Sequence, residues 1–590
     1  MAQLKMYRFK GTPYCTDALP EGYSVSNYRD FSDKLAWCEC CKKGLVADDA
    51  DEFTFYDSIE SWDEIDICRD VFFLDHNGEH IGTVTCFVRD DGKGDMHMVG
   101  IREDYRGRGL SKYLNAIFCE RMDSLGVECS ELTTDEWRKN AVKGYLSGGW
   151  LPVEYDLGMI DRWQAVLEEH GIDSVRMVYE DGSDYGTVYR TGLAHKYTFG
   201  VFGAGRGRTM MNYCVSNDKA KLVAVCDFSA EALDGIRRDY DCSDVKLFES
   251  FDEFIKEDFD CIVMANYATE HAPYAVKALR AGKNVLSEVL PCQTMKEAVE
   301  LIEAVEETGL TYAYAENYCY MPAPKKIKEL YRAGKLGNFE YGEGEYMHCC
   351  EAPWHNLTQT GATHWRNTMS AFYYCTHSMG PLVHITGLRP VKVVGLEVAY
   401  NDRMRRMGAL GGPIGVEMVT MENGGVCKSL HGVGPSRDSI WYSVYGSLGR
   451  AESAREDAEN GGVGKLYTDL SENPTDLAWF PTETDVRDSL SDACEKSGHG
   501  GSDYYVMHHL IEKLRGNKNA DTVDVYEAMD MFLPGLFAYR SVLEGGKTLD
   551  IPNLRDPKVR ELYRNDTACT DPAVAGDMLQ PSYSKGNADI

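Results

Sequence analysis

Short apolar runs separated by polar, glycine-bearing turns dominate the first part of the chain, and they predict strands. Val71–Leu74 and Ile81–Val88 flank one such turn, and a third run covers Met96–Ile101. A stretch with helical spacing follows, whose apolar face is formed by Tyr113, Leu114, Ile117, Phe118 and Met122. Strands that alternate with one long amphipathic helix indicate a first module of mixed sheet and helix.

From residue 197 onward, buried runs alternate regularly with helical stretches. The predicted strands are 199–202, 222–226, 259–265, 284–287 and 311–315. A capping box from Thr294 to Glu297 begins one of the intervening helices, and Gly309 ends it. This regular alternation of strands and helices predicts a doubly wound parallel sheet.

Two other parts of the chain have a different pattern. Between residues 161 and 196 clear periodicity is lost and glycines punctuate the sequence, which is typical of the tail of the first module followed by a connector. Past Pro322 the pattern favours an open mixed sheet with helices, with strands at 391–398 and 441–445 and a helix pair at 504–515 and 526–543. The fold class is therefore a multidomain combination of α/β and α+β.

Composition limits the functions that need to be considered. The chain has 590 residues, of which 43% are hydrophobic and 26% charged, and 94 acidic against 62 basic residues give a net charge of −32. Such a surface repels phosphate backbones, so we expect no nucleic-acid partner. No apolar run is long enough to span a bilayer, so no membrane association is expected. The polar first 15 residues lack the apolar core of a signal peptide, so we expect a cytoplasmic protein. Its 20 cysteines are then most simply reduced thiols, and we expect no metal site.

A dinucleotide-binding fingerprint lies at the start of the parallel-sheet module. The first strand leads into Gly203-Ala204-Gly205-Arg206-Gly207, and the second ends on Asp227. The glycines let the backbone approach a pyrophosphate at a helix N-terminus, and the acid can hold a ribose hydroxyl. Arg208 stands where the full pattern has its third glycine. We therefore predict a tightly bound NAD.

The first module carries a second glycine turn between a strand and a helix. Its residues are Arg106, Gly107, Arg108, Gly109 and Ser111, and such a turn forms an anion cradle of backbone N–H groups. Here no acid follows a second strand, so a dinucleotide fits poorly.

This stretch, over about residues 20–160, resembles the GNAT acetyltransferase family, whose pyrophosphate loop has the form R-x-x-G-x-G/A. The closing pattern of that family is matched by Ala141, Tyr145, Gly149 and Trp150. The resemblance implies acetyl-CoA as cofactor, with Tyr145 as the general acid that protonates the departing thiolate. A degenerate GNAT fold kept for packing is the alternative.

The parallel-sheet module resembles the Gfo/Idh/MocA oxidoreductases. Their pattern of a histidine, a helix and A-G-K-x-V-x-x-E-K-P is visible from His271 to Glu288. The resemblance implies that Asn266, His271 and Glu288 contribute to the cofactor site. Val289 replaces the lysine that assists removal of the hydroxyl proton in the dehydrogenases of that family, which argues against a plain dehydrogenase.

Three motifs resemble the NAD-dependent glycosidases of glycoside hydrolase family one hundred and nine. They are Glu316-Asn317-Tyr318-Cys319-Tyr320, the segment from Tyr374 to Pro381, and the segment from Gly498 to Asp503. The resemblance implies a route in which NAD+ takes a hydride from a sugar carbon, usually C3, and a base then removes the C2 proton so that the anomeric group is eliminated. Water then adds and the hydride returns. The resemblance makes His377 and Tyr374 the base and proton relay, and Tyr320 either positions the sugar or is the partner acid; Tyr318 is the alternative source of that ring. The residues expected to line the sugar site are His364, Trp365, Arg366, His499 and Asp503. Capping of the helix that begins near residue 504 is the alternative for His499 and Asp503.

The resulting hypothesis is a fusion of two enzymes. The expected parts are a GNAT-like domain at 1–165, a connector at 166–196, a Rossmann domain at 197–322, a C-terminal substrate and oligomerisation domain at 323–560 and a tail at 561–590. The second enzyme would act on a sugar or glycoside, as a homo-oligomer. Two alternatives stay open: a net NAD-dependent sugar dehydrogenase, and a sugar sensor or scaffold that binds NAD without catalysis.

Overall fold

The computed structural model describes residues 2–359, 361, 364–435, 438–455, 464–470, 482–495 and 497–583. The chain divides into two compact units, Met1–Ala194 and His195–Ile590. Within the described residues, no helix is both long enough and apolar enough to cross a membrane.

Unit 1 is a mixed sheet flanked by helices. Strands β1–β9 span Leu4–Phe9, Tyr23–Asn27, Val71–His76, Glu79–Val88, Gly94–Ile101, Cys129–Thr134, Leu151–Glu154, Ser174–Tyr179 and Asp184–Tyr189. Helices α1–α6 span Phe31–Cys41, Glu52–Phe55, Ile67–Asp70, Ser111–Leu125, Lys139–Ser147 and Met159–His170. The strand order is β2-β3-β4-β5-β6-β1-β7-β8-β9, in which β5–β6 and β7–β8 are parallel pairs. The apolar stripe predicted for α4 is buried against this sheet.

The prediction of a connector over 166–196 is wrong for most of its length. Helix α6 continues to His170, and β8 and β9 then pair antiparallel and extend the sheet of unit 1. Met177 and Val188 are buried within that sheet. The alternation of these strands is weak in sequence because most of their other side chains remain partly exposed at the sheet edge.

Unit 2 begins with a parallel sheet. Strands β10–β15 span Tyr197–Phe202, Ala220–Cys226, Lys246–Phe248, Cys261–Met264, Asn284–Ser287 and Tyr312–Tyr314. Their order is β12-β11-β10-β13-β14-β15, and neighbouring strands are parallel throughout. This is the strand order of the Rossmann fold, which confirms the predicted doubly wound sheet.

The helices of unit 2 pack on both of its sheets. Helices α7–α21 span Arg208–Ser216, Ala230–Asp239, Phe251–Phe254, His271–Arg280, Met295–Thr308, Pro322–Arg332, Trp354–Leu357, Trp365–Thr368, Thr376–Thr386, Asp402–Met407, Ser491–Cys494, Ser502–Leu514, Val525–Leu543, Pro557–Tyr563 and Pro572–Ala575. The capping box predicted from Thr294 to Glu297 is present at the start of α11, and Gly309 ends that helix with φ 64°. Both satisfy backbone groups that a helix end otherwise leaves unpaired.

The C-terminal sheet is mixed, as predicted. Strands β16–β24 span Phe339–His348, Pro390–Glu397, Ile414–Met421, Val426–Val433, Ser439–Gly446, Gly449–Ser453, Leu466–Leu470, Thr482–Thr484 and Leu549–Asp550. Strand β16 pairs parallel with β19 and antiparallel with β20. A Cβ on Gly344 of β16 would lie 1.8 Å from the Ser378 carbonyl oxygen, so only glycine lets α15 approach this closely. This contact fixes the height of His377 above the sheet.

Candidate functional site

A cavity of about 640 Å³ opens in unit 2 where the carboxyl ends of the parallel strands face the C-terminal sheet. Ligands of open α/β sheets bind at this edge. Nine residues that the sequence analysis assigned to the site line the cavity: Arg206, Asn266, His271, Glu288, Trp365, Arg366, Tyr374, His377 and His499. Their roles remain predictions, but the fold brings them to one place.

His377 lines the cavity and forms a buried pair with Glu316, which lies behind it. The Nδ1 atom of His377 lies 2.7 Å from Oε1 of Glu316, whose side chain is fully buried. The Tyr442 hydroxyl donates to the His377 carbonyl oxygen and fixes the backbone at this point. With Glu316 accepting from Nδ1, Nε2 is left to accept a proton.

Aromatic rings surround His377. The ring centroids of Tyr318, Tyr346 and Tyr374 lie 4.4, 4.6 and 5.6 Å from its own. The Arg366 guanidinium donates to the Tyr374 hydroxyl at 2.6 Å. Such a donor orients the phenol and stabilises negative charge that develops on its oxygen when the proton is passed on.

Tyr320 does not line the cavity, which corrects its predicted role as partner acid. Its hydroxyl donates to the Asp521 carbonyl oxygen at 2.6 Å, and its ring packs against His384 and His509. Tyr318, two residues earlier in the same 3-10 turn, lines the cavity instead. Burial raises the pKa of Tyr318 above its ordinary value, so this hydroxyl stays protonated at neutral pH.

The glycine turn has the close approach that a dinucleotide loop needs. A Cβ on Gly203 would lie 2.2 Å from the Ala265 carbonyl oxygen, and one on Gly207 would lie 2.5 Å from the Gly203 carbonyl oxygen. Beside Gly205 nothing lies within 4 Å of a Cβ position, which leaves space for a ligand. The Asp227 carboxylate accepts from the Ala204 and Ser229 N–H groups at 2.8 Å each. The turn and Asp227 thus form one hydrogen-bonded unit that fits the predicted NAD.

Buried polar atoms near this turn call for a ligand. The side-chain oxygen and nitrogen of Asn266 are buried without a hydrogen-bond partner in the described structure, and Asn266 lines the cavity. A buried amide without partners costs about 1–3 kcal/mol, which a carboxamide or hydroxyl of a bound molecule would offset. His271 Nδ1 lies 3.0 Å from the Leu290 carbonyl oxygen, and Nε2 lies 3.3 Å from that of Asn266. Burial lowers the pKa of His271 to about 4, so the ring is neutral and its single N–H can donate to only one of the two.

Asp503 lies behind the cavity wall rather than in the sugar site, which corrects its predicted role. Its carboxylate accepts from Arg206 at 3.0 Å and from Asn317 at 3.0 Å, and it lies 2.9 Å from His499 Nδ1. Burial alone would raise the pKa of Asp503, but the hydrogen bonds from His499 and Arg206 outweigh it and lower the pKa. Asp503 therefore acts on the site through the three side chains it holds.

Arg206 joins this network to the cofactor side of the cavity. Its guanidinium lies 2.7 Å from Glu288 Oε1 and 3.0 Å from Asp503 Oδ1. Burial raises the pKa of Glu288 and the Arg206 charge opposes that rise. Arg206, which follows the second glycine of the turn, thus connects the glycine turn to Glu288, the residue before Val289.

His364 is not part of the cavity wall, in contrast to its predicted role. Its Nδ1 accepts from the Arg366 N–H at 3.2 Å and caps the short helix α14. The cap positions Trp365 and Arg366, which do line the cavity. Burial lowers the pKa of His364 to about 4, which suits an imidazole that accepts at a helix N-terminus.

Unit 1 has its own cavity of about 1120 Å³. Of the predicted loop residues, Arg106, Gly107, Gly109 and Ser111 line it, as does Tyr145. Gly107 and Gly109 have φ 75° and 70° with open space beside them, as an anion cradle requires. Arg108 instead lies over the Tyr105 ring and donates to the Asp104 carbonyl oxygen, which corrects its assignment to the cofactor site.

The chemistry available in this second cavity is restricted. Its lining, as far as the structure describes it, contains no Asp, Glu or His. Burial raises the pKa of Tyr145 to about 12, so the phenol remains a proton donor at neutral pH. The geometry therefore fits an acyl-CoA pyrophosphate with a protonated tyrosine beside it, while a general base is not evident.

Three domain families match the sequence. Residues 37–148 match the acetyltransferase (GNAT) family, residues 197–316 the NAD-binding Rossmann fold of the Gfo/Idh/MocA oxidoreductase family, and residues 486–559 the glycosyl hydrolase 109 C-terminal domain. One of these matches lies in unit 1 and the other two lie in unit 2. The resemblances stated from sequence are thereby confirmed.

The relatives of this chain cover the glycosyl hydrolase 109-like part. A glycosyl hydrolase family 109 protein of Parabacteroides distasonis is 24% identical over 409 residues, which is 61% of this chain and 86% of the relative. An alpha-N-acetylgalactosaminidase of Tannerella forsythia is 24% identical over 405 residues, which is 60% of this chain and 85% of the relative. An oxidoreductase from Agrobacterium radiobacter, solved with NAD+, L-tartaric acid and magnesium, has a TM-score of 0.50 at 13% identity and covers 60% of this chain and 98% of its own. That structural likeness shows the fold alone.

Several residues of the site were not assigned from sequence. Glu316 and Asn317 lie within a motif from which Tyr320 was selected, with Tyr318 as the alternative, and Tyr346 lies on β16. The sequence of β16 could have indicated Tyr346 as a site residue, because Tyr346 and His348 are two positions apart and therefore lie on the same face of the strand. Which face meets the cavity was not evident from the local pattern.

Proposed function

We propose that unit 2 acts on a glycoside by transient oxidation of a sugar hydroxyl, elimination of the aglycone, addition of water at the anomeric carbon and return of the reducing equivalents. The observation that supports it is a proton-transfer group, His377 with Glu316, in one cavity with Asn266 and Glu288 beside the glycine turn. The relationship to glycosyl hydrolase 109 proteins supports a sugar-acting oxidoreductase.

The side chains of the cavity divide the proton transfers among them. When bound, NAD supplies the redox chemistry by accepting hydride from the sugar carbon and returning it at the end of the turnover. Nε2 of His377 takes up a proton, and Glu316 stabilises the imidazolium. The Tyr374 hydroxyl, held by Arg366, relays a second proton. Tyr318 and Tyr346 enclose these groups and exclude water.

The composition of the cavity wall favours this reaction over net dehydrogenation. Val289 lines the cavity at the position of the lysine of the related dehydrogenases, and the lining residues that the structure describes include no lysine. A hydroxyl that is oxidised here gives its proton to imidazole or phenol, groups that can return it in the same turnover. Such reversible transfer suits a reaction that is redox-neutral overall.

For unit 1 we propose binding of acetyl-CoA at the turn around Gly107 and Gly109, with Tyr145 donating its proton to the departing thiolate. The open space beside both glycines and the raised pKa of Tyr145 support this assignment. Since no acid or histidine lines that cavity among the described residues, the acceptor has to arrive as a free base or lose its proton to water. The homo-oligomeric state and the cytoplasmic location stay predictions.

The test of unit 2 uses a panel of aryl glycosides with no added cofactor, beginning with an alpha-N-acetylgalactosaminide because of the Tannerella relative. We expect aglycone release without accumulation of NADH, and incorporation of solvent deuterium at the carbon next to the anomeric centre. Stoichiometric NADH without aglycone would establish a net dehydrogenase instead. Sugar binding without either product would favour a sensor.

A further inference from the structure

A second histidine–carboxylate pair lines the same cavity and has no part in the reaction as described so far. Nδ1 of His348 lies 2.7 Å from Oδ1 of Asp438, and both residues are in the cavity lining. His348 is on β16 and Asp438 immediately precedes β20, the antiparallel neighbour of β16. Asp438 also accepts from the Cys349 N–H at 2.7 Å, so the backbone holds its carboxylate in place.

Tyr346 contacts both histidines. Its ring centroid is 4.6 Å from that of His377 and 5.8 Å from that of His348, which it meets edge to face. Tyr346 and His348 share a face of β16 because strand side chains alternate. Both imidazoles therefore pack against one tyrosine ring of the cavity lining.

The exposure of the two histidines distinguishes the ends of the cavity. The His377 side chain is 8% exposed, whereas that of His348 is 42% exposed. An aglycone has to project toward the mouth of the cavity, since it varies in size and leaves first. A sugar that binds against His377 would therefore direct its aglycone toward the more exposed His348.

We propose that His348, paired with Asp438, is the general acid for the departing aglycone; this rests on the function proposed for unit 2. Nδ1 is the ring nitrogen that faces Asp438, and Nε2 carries the proton that is delivered. After the proton next to the anomeric carbon has been removed, the electron pair left on that carbon forms a double bond to the anomeric carbon. The bond from the anomeric carbon to the aglycone oxygen breaks, its electrons go to that oxygen, and the His348 proton joins it.

The test compares two glycosides of the same sugar, one with an alkyl and one with a nitrophenyl aglycone. An alkoxide needs protonation to leave, whereas nitrophenolate leaves unaided. We expect His348→Gln to lower kcat/KM for the alkyl glycoside by about 10²–10⁴-fold and to change the nitrophenyl reaction little. Asp438→Asn should show the same selectivity more weakly. His355→Gln, at an exposed histidine of the neighbouring helix α13, is the matched control.

Retained NAD content and an unchanged thermal midpoint confirm that the His348 variant is folded. Equal losses on both substrates, or no loss on either, would overturn the acid role of His348 while leaving glycoside cleavage intact. Failure of the unaltered protein to cleave the nitrophenyl glycoside would instead overturn the function proposed for unit 2. The two failures are therefore distinguishable.

Discussion

The imidazole of His377 is hydrogen-bonded to the carboxylate of Glu316 at 2.7 Å, across 61 positions of sequence, with both side chains buried. Glu316 follows the last parallel strand and His377 lies in the first turn of α15, so the pair joins the Rossmann domain to the helix packed on the C-terminal sheet. This single contact couples the cofactor domain to the predicted base.

The Glu316→Gln variant tests the charge of this pair. An amide retains the size of the side chain but does not stabilise the imidazolium, so we expect kcat to fall by about 10²–10⁴-fold with NAD content unchanged. The control is Glu527→Gln, because Glu527 makes the same 2.7 Å contact with His384 and neither residue lines the cavity. Similar losses of kcat in both variants would show a structural role only.

Tyr318 lines the cavity and Tyr320 does not, so the two tyrosines should respond differently to substitution. Tyr318→Phe should reduce turnover by about 10-fold or more, since its hydroxyl belongs to the cavity wall. Tyr320→Phe should leave kcat unchanged and lower the free energy of unfolding by about 1 kcal/mol, because it loses the bond to the Asp521 carbonyl oxygen. Steady-state kinetics and urea unfolding of both variants decide this. The reverse pattern would restore Tyr320 as the catalytic group.

Asp227→Ala should weaken NAD binding by about 10–100-fold, since hydrogen bonds to a charged group contribute about 1.5–3 kcal/mol. NADP should lose less, because its 2′-phosphate is repelled by the carboxylate of the unaltered protein. Titration calorimetry with both cofactors measures the difference. Asp234→Ala, at an exposed acid on α8, is the control, and equal losses for NAD and NADP would exclude the ribose role.

For unit 1, Gly109→Ala should abolish the thermal stabilisation that millimolar acetyl-CoA confers on the unaltered protein. Gly109 has φ 70° and lines the cavity, so a methyl group both strains the turn and enters the space for the pyrophosphate. Gly92→Ala is the matched control, since Gly92 has φ 83° in a turn outside that cavity. Absence of stabilisation in the unaltered protein would favour a degenerate GNAT fold.

The free energy of unfolding should depend on pH through the protonation of Glu417. Burial raises the pKa of this carboxyl to about 8 from an ordinary value of 4.5, so the folded state keeps a proton that the unfolded state releases. The stabilisation is therefore complete below pH 4.5 and is lost as the pH rises toward 8, by at most about 1.4 kcal/mol per pH unit. Thermal midpoints of the unaltered protein and Glu417→Gln should diverge over this window. Parallel curves would contradict the prediction.

The local pattern of residues was sufficient for most of the secondary structure and for the cofactor loop. The period of the apolar runs predicted the parallel strands, and the capping box from Thr294 to Glu297 marked the start of its helix, because both depend on residues a few positions apart. The same holds for Gly203 and Gly207, whose need for close backbone approach is a property of the turn itself.

Only the tertiary structure decided which side chains share the cavity. Tyr318 and Tyr320 are two residues apart in one 3-10 turn, and packing of the chain around residue 521 turned Tyr320 away from the site. Asp503 accepts a hydrogen bond from Arg206, which is 297 positions away in the sequence. Strands β8 and β9 have weak alternation in sequence, and they are recognised as strands only by their pairing with each other in the sheet. Periodicity and turn chemistry act over a few residues, whereas burial and charge pairing act between elements that only the completed fold brings together.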